Sequence, residues 1–313
     1  MNKSLADLKI VIVGLGLIGG SIARGLSAPV PQSKANTSAK VEKTKKLCRE
    51  IIAVGRNESI LQQALADGII TDYATDVAQA CVDADLVVIA VPSLTVEKVL
   101  QELKPVIGKD TVVTDAASVK GAIIDSVFRV YGKVPENFVP GHPIAGSENS
   151  GYSASLEDLY KGKKVILTPL DETSQAAVSL VQILWESLGA EVIKMSVAHH
   201  DQVLAATSHL PHLLAYALVD TLSQQGQSEE IFRYAAGGFR DFTRIASSDP
   251  QMWHDIFMLN GEATIEVLDK YMTDLSRLRA AIKNRDSNEL MVTFKRAKKS
   301  RDKFLEHFPK ANK

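Results

Sequence analysis

The sequence has few cysteines, no long apolar run and no excess of charge of either sign. Cys48 and Cys81 are its two cysteines in 313 residues and form no CxxC pair, which excludes a disulfide scaffold. Lys and Arg number 36 against 37 Asp and Glu, so nothing favours nucleic acid or an anionic membrane as partner. No apolar run approaches the roughly 18 residues of a membrane helix. Because Asp7 precedes the first apolar strand, we expect no signal peptide and a cytoplasmic protein.

The order of predicted elements indicates two domains. Residues 1–195 alternate continuous apolar runs with helical stretches, as in a parallel sheet with both faces buried. Nearly everything from residue 197 to residue 307 fits a helical pattern. We predict an α/β domain over 1–195 and an all-helical domain over 196–313. The predicted strands are Lys9–Val13, Glu50–Val54, Asp85–Val91, Thr111–Asp115, Phe138–Gly141, Lys164–Thr168 and Glu191–Met195.

Three local features qualify this division. The polar, lysine-rich segment 27–49 delays the return from the first helix to the second strand, and we predict a surface insertion there. Asp249 and Pro250 fit a helix N-cap followed by proline at the first helical position, opening a long helix. The apolar pattern of 252–278 exceeds what one buried helix face needs, and we expect a subunit interface.

The first predicted strand runs into a glycine-rich turn that opens a helix. GxGxxG between a strand and a helix is typical of a Rossmann domain that binds a dinucleotide. Gly14 would allow the tight turn, Gly16 the close approach of a pyrophosphate, and Gly19 the close packing of the helix. The residues predicted to bind the cofactor are Gly14, Gly16, Leu17, Ile18 and Gly19, with Pro92 after the third predicted strand.

The choice between NAD and NADP is usually made after the second strand. A carboxylate there binds the ribose 2′-OH of NAD, whereas an arginine suits the 2′-phosphate of NADP. Here the strand is followed by Gly55, Arg56 and Asn57, with no carboxylate before Glu58. Asn57 could still bond a 2′-OH. We expect Arg56 and Asn57 to contact the cofactor, with NADP slightly favoured over NAD.

Two more motifs follow later strands. Ser118 lies in TDAASVK after one strand, and His142 lies in GHPIAGSE after the next. In a doubly wound sheet these strand ends flank the crevice that holds the nicotinamide. A histidine, with an ordinary pKa of roughly 6.5, can take a hydroxyl proton while hydride leaves the same carbon. Such a reaction could use His142 as the base and Ser118 as its hydrogen-bond partner. The alternative is that His142 is a structural residue of a turn, bonded only to the backbone.

The predicted helical domain contributes further histidines and arginines. His200, His209 and His212 allow a zinc site, a set of buried structural histidines, or a pocket for a small anion. No lysine occurs between Lys194 and Lys270, so the cations of this stretch are Arg and His. Arginine is the better residue for bidentate recognition of a carboxylate. We favour the anion pocket and expect no metal.

Six motifs carry a resemblance to a known family. They are GLGLIGGS, TDAASVKG, GHPIAGSENSG, KKVILTP, SHLPH and GGFRDFTRIASSDPQMW. In this order they resemble the prephenate/arogenate dehydrogenases of tyrosine biosynthesis. The resemblance runs from about residue 9 to residue 260 and is interrupted chiefly by 27–49. It implies a Rossmann domain, a helical dimerisation domain like that of 6-phosphogluconate dehydrogenase relatives, and a homodimer through the C-terminal helices.

The resemblance also implies a reaction and roles for single residues. The reaction is oxidative decarboxylation of prephenate, or of arogenate, with hydride transfer to NAD(P)+. His142 would take the ring 4-hydroxyl proton, Ser118 would bond that hydroxyl and the histidine, and Arg244 would bind a substrate carboxylate. Residues implied around the substrate are His200, Asp201, Ser208, His209, His212, Glu148 and Trp253. With no sensing domain after the helices, L-tyrosine would inhibit as a competing ligand of the active site.

Two alternatives and one open choice remain. A β-hydroxyacid dehydrogenase of the same architecture would need a lysine early in the helical domain, where none occurs. A non-catalytic dinucleotide sensor would have no use for Ser118, His142 and Arg244 together. Glu148 could favour the ammonium group of arogenate, and His209 could favour the keto group of prephenate. These two residues therefore do not decide between the substrates; we expect prephenate.

Overall fold

The computed structural model describes residues 4–28, 47–226 and 228–306. Most of the predicted insertion 27–49 lies outside the described residues. The chain divides into two compact units, Met1–Gly261 and Glu262–Lys313. Every predicted site residue belongs to the first unit, whereas the domain boundary at residue 195 stays a prediction.

A six-stranded parallel sheet forms the centre of the first unit. Ile10 and Ile12 pack into the core on one face, and Val11 and Val13 pack into the core on the other. Burial of both faces is what the continuous apolar runs predict, and the α/β fold class is confirmed. The strands are β1 Lys9–Val13, β2 Glu50–Val54, β3 Asp72–Ala74, β4 Leu86–Ile89, β5 Val112–Asp115 and β6 Phe138–Val139. Their order in the sheet is β3-β2-β1-β4-β5-β6, so the strand order reverses between β1 and β4, where such sheets bind ligands.

A second, three-stranded sheet differs from the sequence prediction. It contains β7 Gly141–Ile144, β8 Lys164–Leu167 and β9 Glu191–Lys194, with β7 antiparallel to β8 and β8 parallel to β9. The prediction of a single strand over 138–141 was wrong, because the chain divides at Pro140 into β6 of the large sheet and β7 of the second sheet. Proline has no N–H to donate to a strand ladder, which suits it to this division. The short polar strand β3 was not predicted.

Helices cover both faces of the large sheet. The first unit contains α1 Leu17–Ser27, α2 Glu58–Ala66, α3 Val77–Cys81, α4 Val96–Leu103, α5 Gly121–Tyr131, α6 Gln175–Ser187, α7 Val197–Leu204, α8 Leu210–Ser223, α9 Ser228–Arg233, α10 Gly237–Thr243 and α11 Pro250–Leu259. The second unit is formed by α12 Gly261–Lys283 and α13 Ser287–Glu306. In the described parts of the chain, no helix is both long and apolar enough to cross a membrane.

The start of α11 matches its prediction, and its end does not. The Asp249 carboxylate accepts hydrogen bonds from the backbone N–H groups of Gln251 and Met252, with Pro250 at the first helical position. The predicted N-cap is confirmed. The long helix predicted from this point was wrong, because α11 ends at Leu259 and a new helix begins at Gly261.

A π-helical turn, Ala205–His209, joins α7 to α8. The backbone N–H of Leu210 donates to the carbonyl of Ala205, five residues earlier instead of four. Pro211 follows and has no N–H, so one ordinary helical hydrogen bond is lost there. Such turns occur frequently at functional sites, and this one carries Ser208 and His209.

Candidate active site

A cleft of about 900 Å³ opens beside the carboxyl ends of β1, β4 and β5. The turns after these strands form one wall, and β7 and segments of the helical region form the others. Eleven of the predicted site residues line it. They are Gly16, Leu17, Ile18, Pro92, Ser118, His142, Glu148, Ser208, His212, Arg244 and Trp253. The topology thus brings together residues from both predicted domains.

The glycine-rich turn has the geometry that a dinucleotide needs. Gly14 has φ +99°, and a side chain there would come within 2.5 Å of the carbonyl oxygen of Ala90. A side chain at Gly19 would overlap the carbonyl of Gly14, so α1 packs directly on the turn. Gly16 is the N-cap of α1, with no side-chain cap and nothing within 4 Å of an added Cβ. The open helix N-terminus therefore fits a pyrophosphate.

Arg56 and Asn57 lie outside the cleft wall, after β2. Arg56 is exposed and forms no hydrogen bond or ion pair with any described residue. Asn57 is the N-cap of α2, because its side-chain oxygen accepts bonds from the Ile60 N–H and the Ser59 hydroxyl. The Glu58 carboxylate accepts bonds from Gln62 and Tyr73. Arg56 is thus the free polar group at this strand end.

His142 is held from behind by two residues that lie outside the cleft wall. Its Nδ1 lies 2.9 Å from Nε2 of His200, and Nδ1 of His200 lies 2.8 Å from Oδ1 of Asp201. His142 lines the cleft, whereas His200 is fully buried. Ser118 lines the same cleft but makes no hydrogen bond to His142. His200 and Asp201, predicted around the substrate, are therefore placed behind His142.

The environment keeps both imidazoles neutral. Burial, followed by the neighbouring His200 and Lys120, holds the pKa of His142 well below its ordinary value. Burial also lowers the pKa of His200, although the bond to Asp201 opposes this shift. Burial alone would raise the pKa of Asp201, but hydrogen bonds from His200, Gly121 and Lys120 lower it. Asp201 is therefore a carboxylate beside two neutral rings.

A buried ion pair fixes the turn that carries His142. The ammonium group of Lys120 bonds the Asp115 carboxylate and lies 2.6 Å from the carbonyl oxygen of Gly141. Asp115 also accepts the backbone N–H groups of Ala117 and Gly141. The pair connects the end of β5 to the residue before His142. Sequence reasoning missed both side chains, although each occurs in the motif TDAASVK.

His209 presents a nitrogen without a partner. Its Nδ1 lies 3.2 Å from Nδ2 of Asn260, which also donates to the carbonyl of Asp201 at 3.0 Å. An amide nitrogen only donates, so this network assigns the proton of neutral His209 to Nε2. Nε2 is buried and has no hydrogen-bond partner among the described residues, and neither has Nε1 of Trp253. Asn260 is a third residue that sequence reasoning missed.

The aromatic side of the cleft is built by Trp253 and His212. Their rings stack with centroids 3.7 Å apart. Nδ1 of His212 donates to the carbonyl of Ser208 at 2.8 Å, which leaves Nε2 of the neutral ring as an acceptor. Burial lowers the pKa of His212 and lowers that of His209 to about 4. This side of the cleft thus combines an apolar surface with neutral polar groups.

Arg244 and Glu148 form an ion pair across two segments of the cleft wall. The Arg244 side chain is 63% exposed, so its guanidinium stays accessible to a ligand. The positive charge predicted for this pocket is present, and it is countered by a carboxylate. In the described parts of the chain, no group of His, Cys, Asp and Glu is arranged to hold a metal ion.

Comparison with known proteins identifies the family. The nucleotide-binding domain of prephenate dehydrogenase matches residues 39–194, and its dimerization domain matches residues 196–296. The chain belongs to the prephenate dehydrogenase family. The cyclohexadienyl dehydrogenase of Zymomonas mobilis is 37% identical over 93% of this chain and 94% of its own, and the prephenate dehydrogenase of Bacillus subtilis is 34% identical over 94% and 75%.

A solved family member has the same fold. The prephenate dehydrogenase of A. aeolicus, in complex with hydroxyphenyl propionate and NAD+, superposes with a TM-score of 0.83. It is 36% identical and covers 96% of this chain and 100% of its own. The expected family, the fold class and the assignment as a dehydrogenase that uses a nicotinamide dinucleotide are confirmed. The roles of single residues stay predictions.

Proposed function

We propose that this prephenate dehydrogenase family member oxidises and decarboxylates prephenate in tyrosine biosynthesis, giving 4-hydroxyphenylpyruvate and CO2. The observation that carries the proposal is the position of His142. Its imidazole lines the cleft that begins at the open glycine turn, and its Nε2 has no partner among the described residues. A neutral imidazole beside a dinucleotide site suits removal of a hydroxyl proton during oxidation.

The proton transfers of the proposed reaction are assigned to residues of the cleft. His142 accepts the proton of the ring 4-hydroxyl as C4 loses a hydride, and Ser118 holds the same oxygen. A bound nicotinamide dinucleotide is the hydride acceptor. The ring carboxylate then leaves as CO2, and its bonding electrons aromatise the ring. The proton on His142 returns to the phenolate oxygen, so the residue ends the cycle neutral.

The opposite side of the cleft suits an anionic side chain. Arg244 offers a guanidinium to a carboxylate. Trp253 lines the cleft and His209 does not, but the His209 ring contacts Trp253 edge to face. Nε1 of Trp253 and Nε2 of His209 are buried N–H donors without partners in the described structure. Hydrogen-bond acceptors, such as carboxylate and keto oxygens, would satisfy these donors. The donors favour the keto group of prephenate over the ammonium group of arogenate, and Glu148 is already paired with Arg244.

NADP+ is the cofactor that we propose to be preferred over NAD+. The carboxylate and amide oxygens after β2 accept hydrogen bonds from neighbouring side chains and backbone, whereas the Arg56 guanidinium is free of described partners. A free guanidinium suits the 2′-phosphate. The A. aeolicus structure contains NAD+. The preference of this chain for NADP+ over NAD+ is therefore to be measured on this protein itself.

A homodimer through the C-terminal helices completes the proposal. In the second unit, α12 exposes apolar side chains on one helix face: Ile265, Met272, Leu275 and Ile282. Exposed apolar faces of this kind mark interfaces between proteins. The family model described as a dimerization domain includes all four residues.

The decisive assay follows reduction of the dinucleotide by the purified full chain. Prephenate and arogenate are each tested with NADP+ and with NAD+. We expect the fastest reduction with prephenate and NADP+, together with release of one CO2 per turnover. Binding of a dinucleotide with no reduction in any of the four combinations would overturn the proposal and favour a dinucleotide sensor. L-Tyrosine is added last, and inhibition relieved by excess substrate would place it in the active site.

A further inference from the structure

Three side chains form a continuous hydrogen-bonded series that ends in the cleft. Asp201 bonds His200, and His200 bonds His142, with distances of 2.8 and 2.9 Å. The two imidazoles meet edge to face, with their centroids 5.1 Å apart and their planes at 64°. Only His142 of the three reaches the cleft wall. The series thus connects a carboxylate behind the cleft to the cleft itself.

Asp201 is fixed as an ionised acceptor by the first residues of α5. Its Oδ1 accepts the backbone N–H of Lys120 at 2.9 Å, and its Oδ2 accepts that of Gly121 at 2.8 Å. A side chain at Gly121 would come within 2.9 Å of Oδ2, so glycine permits this approach. N–H groups at a helix N-terminus favour a negative charge. The proton between Asp201 and His200 therefore resides on Nδ1 of His200.

The position of that proton determines the next two. A neutral His200 with its proton on Nδ1 has a lone pair on Nε2, which can only accept a hydrogen bond. His142 must then donate from Nδ1, and its own Nε2 carries the lone pair. We infer that His200 and Asp201 are positioning residues that fix this tautomer of His142, so that Nε2 enters the cleft as a proton acceptor. The inference rests on the proposed role of His142 as base.

This arrangement opposes the intrinsic tautomer preference of a neutral histidine side chain. A neutral histidine in water favours the tautomer with its proton on Nε2, and that tautomer cannot accept a substrate proton at Nε2. The series reverses the preference at both rings. When His142 takes up a proton, the Asp201 carboxylate stabilises the resulting positive charge through His200, as the third member of a catalytic triad stabilises its histidine. The other titratable groups around the rings are Lys120, Asp115 and His209.

The direct test is nitrogen NMR of the full chain labelled at histidine. Protonated and unprotonated ring nitrogens differ widely in chemical shift, so long-range proton–nitrogen correlations report each tautomer. The signals of His142 and His200 are assigned by their loss in the variants His142→Gln and His200→Gln. We expect both residues as Nδ1–H tautomers at neutral pH. Finding His142 as the Nε2–H tautomer, or protonated on both nitrogens, would overturn the inference.

Variants at His200 separate positioning from packing. His200→Leu removes the acceptor, so we expect the Nε2–H tautomer of His142 and a fall in kcat of up to about 10⁴-fold, as when a catalytic histidine is held in the wrong tautomer. KM for prephenate should change little. His200→Gln can place its amide oxygen near the position of Nε2, and we expect it to restore the His142 tautomer and most of kcat. The exposed neighbour variant His199→Leu is the matched control.

The outcomes distinguish this inference from the proposed function. An unchanged His142 tautomer in His200→Leu overturns the positioning role, even if kcat falls. If the wild-type tautomers are as expected but His142→Gln keeps its activity, the assignment of His142 as base fails and the fixed tautomer stands. If His142→Gln is inactive but the wild-type tautomers differ from expectation, the base assignment stands and the positioning role fails. If a Gln variant does not fold, the signals are assigned from His142→Asn or His200→Asn instead, so the wild-type spectrum still decides the tautomer.

Discussion

The side chains of Lys120 and Asp115 form an ion pair from which solvent is completely excluded. Each partner also bonds the backbone of Gly141, Lys120 through the carbonyl and Asp115 through the N–H. The ion pair therefore also has a structural role, because it joins β5, the turn after it and the first residue of β7. The position of His142 depends on this connection.

Removing the ammonium group should destabilise the fold strongly. Lys120→Met leaves the Asp115 carboxylate buried without its counter-ion, at a cost of about 3–5 kcal/mol in the free energy of unfolding. Chemical denaturation of the two proteins measures the difference. Arg129→Met in α5 is the control, because Arg129 pairs with Glu97 at the surface and its loss should change the free energy of unfolding little. Equal losses of stability in both variants would show that the buried Lys120 pair contributes no more than a surface ion pair.

Stability should decrease in acid partly through His209. Its pKa is about 4 in the fold against roughly 6.5 when unfolded, so unfolding takes up a proton between these values. The stabilisation is complete above about pH 6.5 and falls by about 1.4 kcal/mol per pH unit as the pH decreases toward 4. In His209→Gln this dependence is absent, so denaturation at pH 7.5 and pH 5 should differ less than in the wild type. The exposed His199→Gln should leave the dependence unchanged.

Sequence reasoning predicted best what local chemistry dictates. The turn at Gly14 requires a positive φ, the cap at Asp249 requires a side-chain acceptor, and β1 is a continuous apolar run. Each of these follows from a few adjacent residues. His142 was identified as a catalytic candidate for a related reason, since it directly follows a predicted strand end.

The supporting contacts of the site could not be predicted in the same way. His142 and His200 are 58 positions apart, and only the fold brings their rings within hydrogen-bond distance. Asn260 and His209 are 51 positions apart in the sequence. Asn260 lies in a stretch predicted as one long helix, and that prediction gave no reason to pair it with His209. The division of one predicted strand at Pro140 had a local signal, because a proline within a strand argues against its continuation.

Arg244 and Glu148 should have opposite effects on substrate binding. Arg244→Gln loses charge-assisted bonds to a substrate carboxylate worth about 1.5–3 kcal/mol, which raises KM for prephenate by about 10- to 100-fold. Glu148→Gln frees the guanidinium from its partner and should leave KM unchanged or lower. Steady-state kinetics measure both, with the strongly exposed Arg240→Gln as control. A rise in KM for Glu148→Gln would instead indicate that this carboxylate contacts the substrate.

Charges on the exposed face of α12 should prevent dimerisation. The double variant Met272→Glu, Leu275→Glu replaces two exposed apolar side chains that are close together on the helix surface. Light scattering after size-exclusion chromatography should show a dimer for the wild type and a monomer for the variant, because charged residues are disfavoured at the core of an interface. The control Glu266→Gln changes an exposed residue of the same helix. A variant that stays dimeric would place the interface elsewhere.

Arg56 should decide the choice of dinucleotide. Arg56→Asp removes the guanidinium that is free to bind a 2′-phosphate and adds a carboxylate that can accept a bond from a ribose 2′-OH. We expect the Kd for NADP+ to rise by about 10-fold or more, since charge-assisted bonds of about 1.5–3 kcal/mol are lost, while the Kd for NAD+ stays unchanged or falls. Calorimetric titration of the full chain with each dinucleotide measures both constants. Arg49→Asp, before the start of β2, controls for the change in net charge. Equal changes in the two Kd values would refute the role of Arg56 as the selector.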